Sequence, residues 1–303
     1  MIQFQRMSLS HKKEYETMLL ASSGHGCEYS FANKYLWGVQ QVAFLHGCVA
    51  SFSHFYGRTV YPYPIGPGDK KAVLEALFQD AEERGIPCRL SCMTQENVQE
   101  LESWFPGRFH IQPDRDSFDY VYAIEDLAEL RGRKYQKKRN HYNRFRTMHP
   151  NYEVRELNKC NVHQAMHMIN DWYQNRMKAD PEGDYWLENF AMAKAFQNYQ
   201  ALEMEGILLC EEGRVLAVTM ASRLSADTFD VHFEKAREEV DGAYNAVSCE
   251  FAQYLRQKYP EAVYLNREDD MGLEGLRYAK LSYNPHHLVE KYWARQVEDL
   301  YGG

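Results

Sequence analysis

No apolar run in the chain approaches the roughly 20 residues that span a bilayer. The opening segment, MIQFQRMSLSHKKEYETMLL, lacks the unbroken apolar stretch of a secretory signal, so a cytoplasmic protein is expected. Cysteines number only 7, an odd count without regular spacing, which argues against a disulfide framework. Cys88 and Cys92 can share one face of a strand, but no second pair completes a set of four ligands, and buried thiols are expected. His163 and His167 stand at metal-ligand spacing on a helix, yet without the glutamate of an HExxH motif; no metal site is expected. Neither a Gly-x-Ser-x-Gly elbow nor a Walker loop occurs, so hydrolase and kinase chemistry have no motif behind them.

The 303 residues suffice for one large domain or two ordinary ones, and 45% hydrophobic residues suit a folded chain. Periodicity and punctuation give an alternating order. YSFANKYLWG (29–38) has aromatic residues at helical spacing, and 41–66 reads as short strands with glycine turns. Asp69 caps a helix over 70–84 that Gly85 stops. A strand at 88–93, a helix at 94–105 and strands within 108–124 follow. After a basic segment come a strand (151–157), helices (161–177 and 185–205), a hairpin (206–224) and a strand (227–236). A helix (242–260), a strand (262–269), a helix (271–283) and one closing strand (287–296) complete the chain.

The two halves repeat one order of elements, although no residue identities support the repeat. The expectation is α/β with mixed sheets in two domains, 1–125 and 151–303, joined by a basic helix at 126–150. Because each sheet starts with hairpins rather than βαβ units, a dinucleotide-binding fold is not expected.

This order resembles the N-acetyltransferase (GNAT) superfamily, duplicated. Three segments, YSFANKYLWG, GRKYQKKRNHYNRF and LNREDDMGLEGLRYAKLSYNP, resemble the family named for the C-terminal part of phosphatidylglycerol lysyltransferases. That family has a tandem GNAT-like acyltransferase fold related to the Fem-type aminoacyltransferases. The resemblance implies transfer of an acyl or aminoacyl group to an amine or hydroxyl of a small-molecule or peptide acceptor. The donor it implies is aminoacyl-tRNA, or acyl-CoA as in the wider superfamily, with no tightly bound cofactor. A non-catalytic module that binds tRNA or another phosphorylated ligand is the alternative of a different class.

The residues weigh on the donor. An acyl-CoA enzyme needs a glycine-bearing loop whose N–H groups approach a pyrophosphate. Here that stretch runs from Arg237 to Ala243, with Val240 at the middle glycine position and carboxylates at Glu238, Glu239 and Asp241 that oppose an anion. The equivalent stretch of the first half, 65–71, reads as a helix entrance.

On the strand at 227–236, alternation places Asp230, His232 and Glu234 on one face, where Glu234 or His232 can serve as general base; a solvated strand face is the plain alternative. Asn266, Arg267, Asp269 and Asp270 end a strand and enter a helix; they can hold a substrate, or an aspartate can cap the helix. The resemblance to GNAT enzymes implies a tyrosine near the end of that helix as general acid, and Tyr283 is the candidate, with Lys280 beside it and Tyr244 and Tyr278 as rivals.

The segment from Arg131 to Arg146 holds eight basic residues and no acidic one, in a chain of formal net charge −8. As one helix it places Arg133, Lys137, Asn140 and Arg144 on one side and Tyr135, Tyr142 and Phe145 on the other. The basic side suits a nucleic-acid backbone such as tRNA, a smaller phosphate, or an anionic lipid surface touched peripherally; Arg237 could add to it. Tyr135 and Tyr142 are the positions free for base stacking. A solvated helix paired with the chain's own carboxylates is the plain alternative.

Overall fold

A computed structural model describes residues 1–22, 26–38, 40–55, 58–181, 183 and 185–297. The strands are β1 Gln5–Arg6, β2 Gln40–Leu45, β3 Cys48–Phe55, β4 Arg58–Pro62, β5 Arg89–Met93, β6 Phe109–Pro113 and β7 Asp119–Ala123. They continue with β8 Glu153–Glu156, β9 Glu205–Glu211, β10 Arg214–Arg223, β11 Thr228–Ala236, β12 Tyr264–Asn266, β13 His287–Val289 and β14 Tyr292–Gln296. The helices are α1 Lys12–Leu20, α2 Phe31–Trp37, α3 Lys70–Arg84, α4 Gln95–Trp104, α5 Ile124–Glu129, α6 Gln136–Met148, α7 Val162–Ala179, α8 Trp186–Gln197, α9 Ala243–Lys258 and α10 Glu274–Leu281.

The local chemistry explains most boundaries. The Asp69 side chain accepts from Ala72 N–H and starts α3, and Gly85 ends it in the left-handed region at φ 65°. Thr94 and Asn97 form a reciprocal capping box on α4. The apolar stripe of α3, Val73, Leu74, Leu77 and Phe78, is buried in one core with Tyr61, Leu90 and Leu101. The turn between β3 and β4, expected around Gly57, lies outside the described residues.

Two seven-stranded sheets have the same plan. The first runs β1-β2-β3-β4-β5-β14-β6 and the second β13-β7-β12-β11-β10-β9-β8. In each, four antiparallel strands lead to one parallel pair, β4 with β5 and β11 with β12, followed by an antiparallel partner. That partner comes from the far half of the sequence: β14 enters the first sheet and β7 the second. The expected single strand at 287–296 is therefore two strands in different sheets. Two compact units result, one of residues 1–119, 269–274 and 288–303, the other of 120–268 and 275–287.

The basic segment is a 3-10 turn over Arg133–Tyr135 and then α6, rather than one helix from Arg131; Gly132 at φ 81° breaks the run. Tyr135 and Phe145 are fully buried in the second unit, and Tyr142 packs beside Leu130, Tyr135 and Cys249. Tyr135 is thus unavailable for base stacking; its hydroxyl donates to Asp126 Oδ2 at 3.2 Å.

Candidate active site

In the second unit, β11 pairs in parallel with β12 only from Thr228 to Asp230, because β12 stops at Asn266 while β11 runs on to Ala236. The chain therefore opens a gap at the carboxyl end of a parallel pair, a place where α/β sheets bind ligands. Glu234 stands on the unpaired stretch and Arg267 follows directly after β12. Arg267 Nη2 donates to Glu234 Oε1 at 2.7 Å, with both side chains mostly withdrawn from solvent. Burial pushes the Glu234 carboxyl up, and Arg267 and Lys280 partly offset this. Arg267 Nη1 is buried and has no hydrogen-bond partner among the described residues, although a buried guanidinium N–H left unmatched is costly.

Aromatic rings wall this pair. The Arg267 guanidinium carbon lies 5.0 Å from the Tyr283 ring centre and 5.6 Å from that of Tyr122. Asn245 Nδ2 donates to the Tyr283 hydroxyl at 2.7 Å, and burial pushes that phenol up to about 12. Of the rival tyrosines, Tyr278 is exposed and Tyr244 partly so, whereas Tyr283 is buried. Lys280 donates to the Arg267 carbonyl, and Tyr122 to the carbonyl of Lys280 at 2.8 Å, so α10 is tied to this edge.

The basic segment supplies a cation that its outward pattern does not suggest. Lys138 Nζ lies 3.7 Å over the Tyr283 ring, and burial together with Arg267 lowers its pKa to about 8. Its signal in the sequence is position: Lys138 falls three after Tyr135 and four before Tyr142, on the aromatic side of the helix. Asn245 carries no such signal.

The polar side chains of β11 are withdrawn from solvent and do not share the one face expected of them. A register shift against β10 between Met220 and Ala221 sets Glu234 opposite Thr219 but Asp230 opposite Ser222, so that His232 stays with Asp230 and Glu234 turns to the other face. His232 lies between Asp230 and Glu268, and its Nε2 shares a 2.8 Å hydrogen bond with Ser222 Oγ. Asn266 is buried, and its Oδ1 accepts from Glu268 N–H at 2.8 Å. Asp269 and Asp270 belong to the first unit and cap no helix, since α10 begins only at Glu274; each instead accepts from the N–H two residues on, at Met271 and Gly272. Asp270, fully buried, also lies 3.3 Å from Arg115 Nη1. The first unit holds a further buried ionic group, Lys291 Nζ at 2.6 Å from both Asp119 Oδ1 and Glu28 Oε2.

The loop from Arg237 to Ala243 does not offer a pyrophosphate cradle. Arg237 is spent on the Val215 carbonyl at 2.8 Å and on Asp171 at 2.9 Å. Gly242, at φ 79°, is needed for close approach: a Cβ there would meet the His141 carbonyl oxygen at 2.5 Å. Thus α6 covers the start of α9. The loop at 65–71 is closed in the same sense, since Gly68 packs on the backbone of His46 and Gly47.

In the basic segment, Arg133 on the 3-10 turn and Lys137 and Arg144 on α6 are exposed. Arg144 pairs with Asp241 at 2.9 Å, Lys134 with Asp126 at 3.1 Å, and Arg131 with Glu129. Arg139 donates to the carbonyls of Leu130 and Gly132. Among the described residues, Arg133 and Lys137 have no hydrogen-bond or ion-pair partner.

Two mixed sheets of one plan, each with a single parallel pair, make a tandem GNAT-like fold. The profile of the family described as phosphatidylglycerol lysyltransferase, C-terminal, matches residues 21–295, and the chain belongs to that family. A conserved protein of unknown function from Bacteroides thetaiotaomicron is 33% identical, with a TM-score of 0.92 over 98% of this chain and 100% of its own. L-PGS from Bacillus licheniformis has a TM-score of 0.68 at 14% identity, covering 96% of this chain and 93% of its own, which speaks for the fold. An uncharacterized protein of Mycoplasmoides gallisepticum is 22% identical over 210 residues; the match takes in 65% of this chain and 62%, under two thirds, of that relative. Among the described residues, no helix is long and apolar enough to cross a membrane.

Proposed function

We propose that this chain transfers an aminoacyl group from a charged tRNA to an amine or hydroxyl acceptor, and that the open edge of β11 is where the ester is attacked. The observation that carries this reading is the buried Glu234–Arg267 pair walled by Tyr283 and Lys138, with Arg267 Nη1 left without a partner. The donor ester is already activated, so positioning, a proton acceptor and oxyanion stabilisation suffice, and no tightly bound cofactor is required.

In this mechanism Glu234 takes the proton of the attacking amine or hydroxyl. A bond forms from its nitrogen or oxygen to the ester carbonyl carbon. Arg267 Nη1 and Lys138 face the negative charge that develops on the carbonyl oxygen. The carbon–oxygen bond to the terminal ribose then breaks, and the ribose hydroxyl leaves with a proton. Tyr283, held by Asn245, is placed to supply it. Arg133 and Lys137 serve the phosphate backbone of the donor. Acyl-CoA is disfavoured as donor, because Arg237 is engaged and the backbone at Gly242 is covered.

The test is incubation of purified protein with radiolabelled aminoacyl-tRNAs and, separately, acyl-CoAs, in the presence of amine and hydroxyl acceptors. Label should move from a charged tRNA to an acceptor, with Glu234→Gln slower by about 10²–10⁴-fold, as for loss of a general base. Transfer from acyl-CoA alone, or tRNA binding without transfer, would replace this reading with one of its alternatives.

A further inference from the structure

We infer that Asp230, His232 and Glu268 form a binding site for one divalent cation of the zinc class, inside the second unit and separate from the transfer chemistry proposed above. His232 Nδ1 lies 3.5 Å from Asp230 Oδ2 and 3.4 Å from Glu268 Oε1, and one ligand atom from each residue falls within 4.8 Å of the others. The His232 side chain is fully buried, and its Nδ1 has no hydrogen-bond partner among the described residues.

Those spacings fit a metal better than a proton. A charge-assisted N–H···O contact closes to about 2.7–2.9 Å, and neither carboxylate comes near that. Four ligands at bonds of about 2.1 Å in a tetrahedron stand roughly 3.4 Å apart, which is the separation found here. One imidazole nitrogen with two carboxylates is a donor set that zinc accepts.

The surroundings behave as support for ligands. The other ring nitrogen of His232 is occupied by Ser222 Oγ, which fixes the ring so that Nδ1 faces the carboxylates. Glu268 sits in the left-handed region at φ 57°, uncommon for this residue type. It is held there from two directions: Asn266 Oδ1 accepts its N–H, and its carbonyl accepts from Tyr120 N–H at 3.1 Å. Glu268 is also the most exposed of the three and leaves a side open for water as a further ligand. A cation here would clip β11 to the turn that follows β12, and so hold Arg267, the neighbour of Glu268, against Glu234. These residues would then be positioning residues.

The experiment uses the full chain, stripped with a chelator and titrated with Zn²⁺ by calorimetry, and with Co²⁺ while the visible spectrum is recorded. His232→Gln and Glu268→Gln are measured alongside. The expected result is one more equivalent of Zn²⁺ bound by the parent than by either variant, a thermal midpoint raised by several degrees in the parent alone, and Co²⁺ bands of tetrahedral intensity. Comparison by difference removes metal held at surface groups such as the exposed Cys160 and the His286–His287 pair. Equal binding by parent and variants overturns the inference, as does a Co²⁺ spectrum indistinguishable from the hydrated ion. Where one variant folds poorly, the difference spectrum of the parent against the other variant decides the matter.

Discussion

Lys138 Nζ stands 3.7 Å above the ring of Tyr283, held there by a helix on which Lys137, Arg144 and Arg146 are exposed. Burial and Arg267 lower its pKa to about 8 from an ordinary lysine value. If Lys138 faces negative charge in the reaction, that help is present while it is protonated and fades as pH rises through about 8. The transfer rate of the parent should therefore bend downward near that pH. In Lys138→Met the bend should vanish and the rate below it should drop. The sign for stability is opposite: the unfolded chain holds the proton to higher pH, so this group favours folding increasingly between about 8 and the ordinary lysine pKa of about 10.4. A bend that survives in Lys138→Met would assign it to another group.

Gly242 gives a second outcome. Alanine there would place its Cβ 2.5 Å from the His141 carbonyl oxygen and 3.1 Å from Phe145 Cβ, at a backbone angle of φ 79°. Backbone strain of this kind costs on the order of 1–3 kcal/mol. Urea unfolding of Gly242→Ala should give a lower midpoint with an unchanged slope, because the packing of α6 on α9 is weakened while the area buried overall is kept. An unchanged midpoint would mean that α6 shifts without loss.

The cations of the basic segment should not contribute equally to tRNA binding. Each phosphate that the protein ceases to neutralise reduces the slope of log K against log salt by about 0.7–0.9. Arg133 and Lys137 lack partners among the described residues, while Arg144 already pairs with Asp241. Arg133→Glu and Lys137→Glu should each flatten the salt dependence measured by filter binding more than Arg144→Glu does. A uniform effect, or binding indifferent to salt, speaks against a phosphate-facing helix.

Asp80 tests the first unit. It is buried on α3, where it accepts from Tyr61 Oη at 2.9 Å, Arg84 Nε at 2.7 Å and the Ile2 N–H at 2.6 Å. Burial pushes this carboxyl up, but the three donors outweigh it and leave its pKa below the usual range. A depressed folded pKa contributes stability that is present above the unfolded value of about 3.9 and lost as pH falls. Asp80→Asn should destabilise by about 1.5–3 kcal/mol at neutral pH, the range for hydrogen bonds to a charged group. The gap to the parent should narrow in acid, as followed by denaturant curves at several pH values.

Local chemistry is the readable part of the sequence. Asp69, Gly85 and the Thr94–Asn97 pair announce helix ends because their side chains or backbone angles act on neighbours three or four residues away. The placement of β7 and β14 has no such signal. A strand pairing with a partner far along the chain looks, in sequence, like any other short apolar run, and Glu290-Lys291 does not read as a break. For the site, alternation on β11 groups Asp230, His232 and Glu234 on one face, but the register shift against β10 between Met220 and Ala221 breaks it. Glu234 falls opposite Thr219 and Asp230 opposite Ser222, on different faces, and alternation does not tell how deeply either is buried. Glu268 escapes a strand pattern because its direction depends on a left-handed backbone and on Asn266, neither of which alternation conveys.

The exchanged strands bear on how the chain is made. Domains generally fold in order as they leave the ribosome, but here that order is broken for the first unit. Its sheet has a place between β5 and β6 that stays empty until residues 292–296 have been synthesised. Ala294, buried in the same core as Leu90 and Leu101, arrives long after them. The first unit begins before the second and is completed after it, and while the second is being made the edges of β5 and β6 wait unpaired.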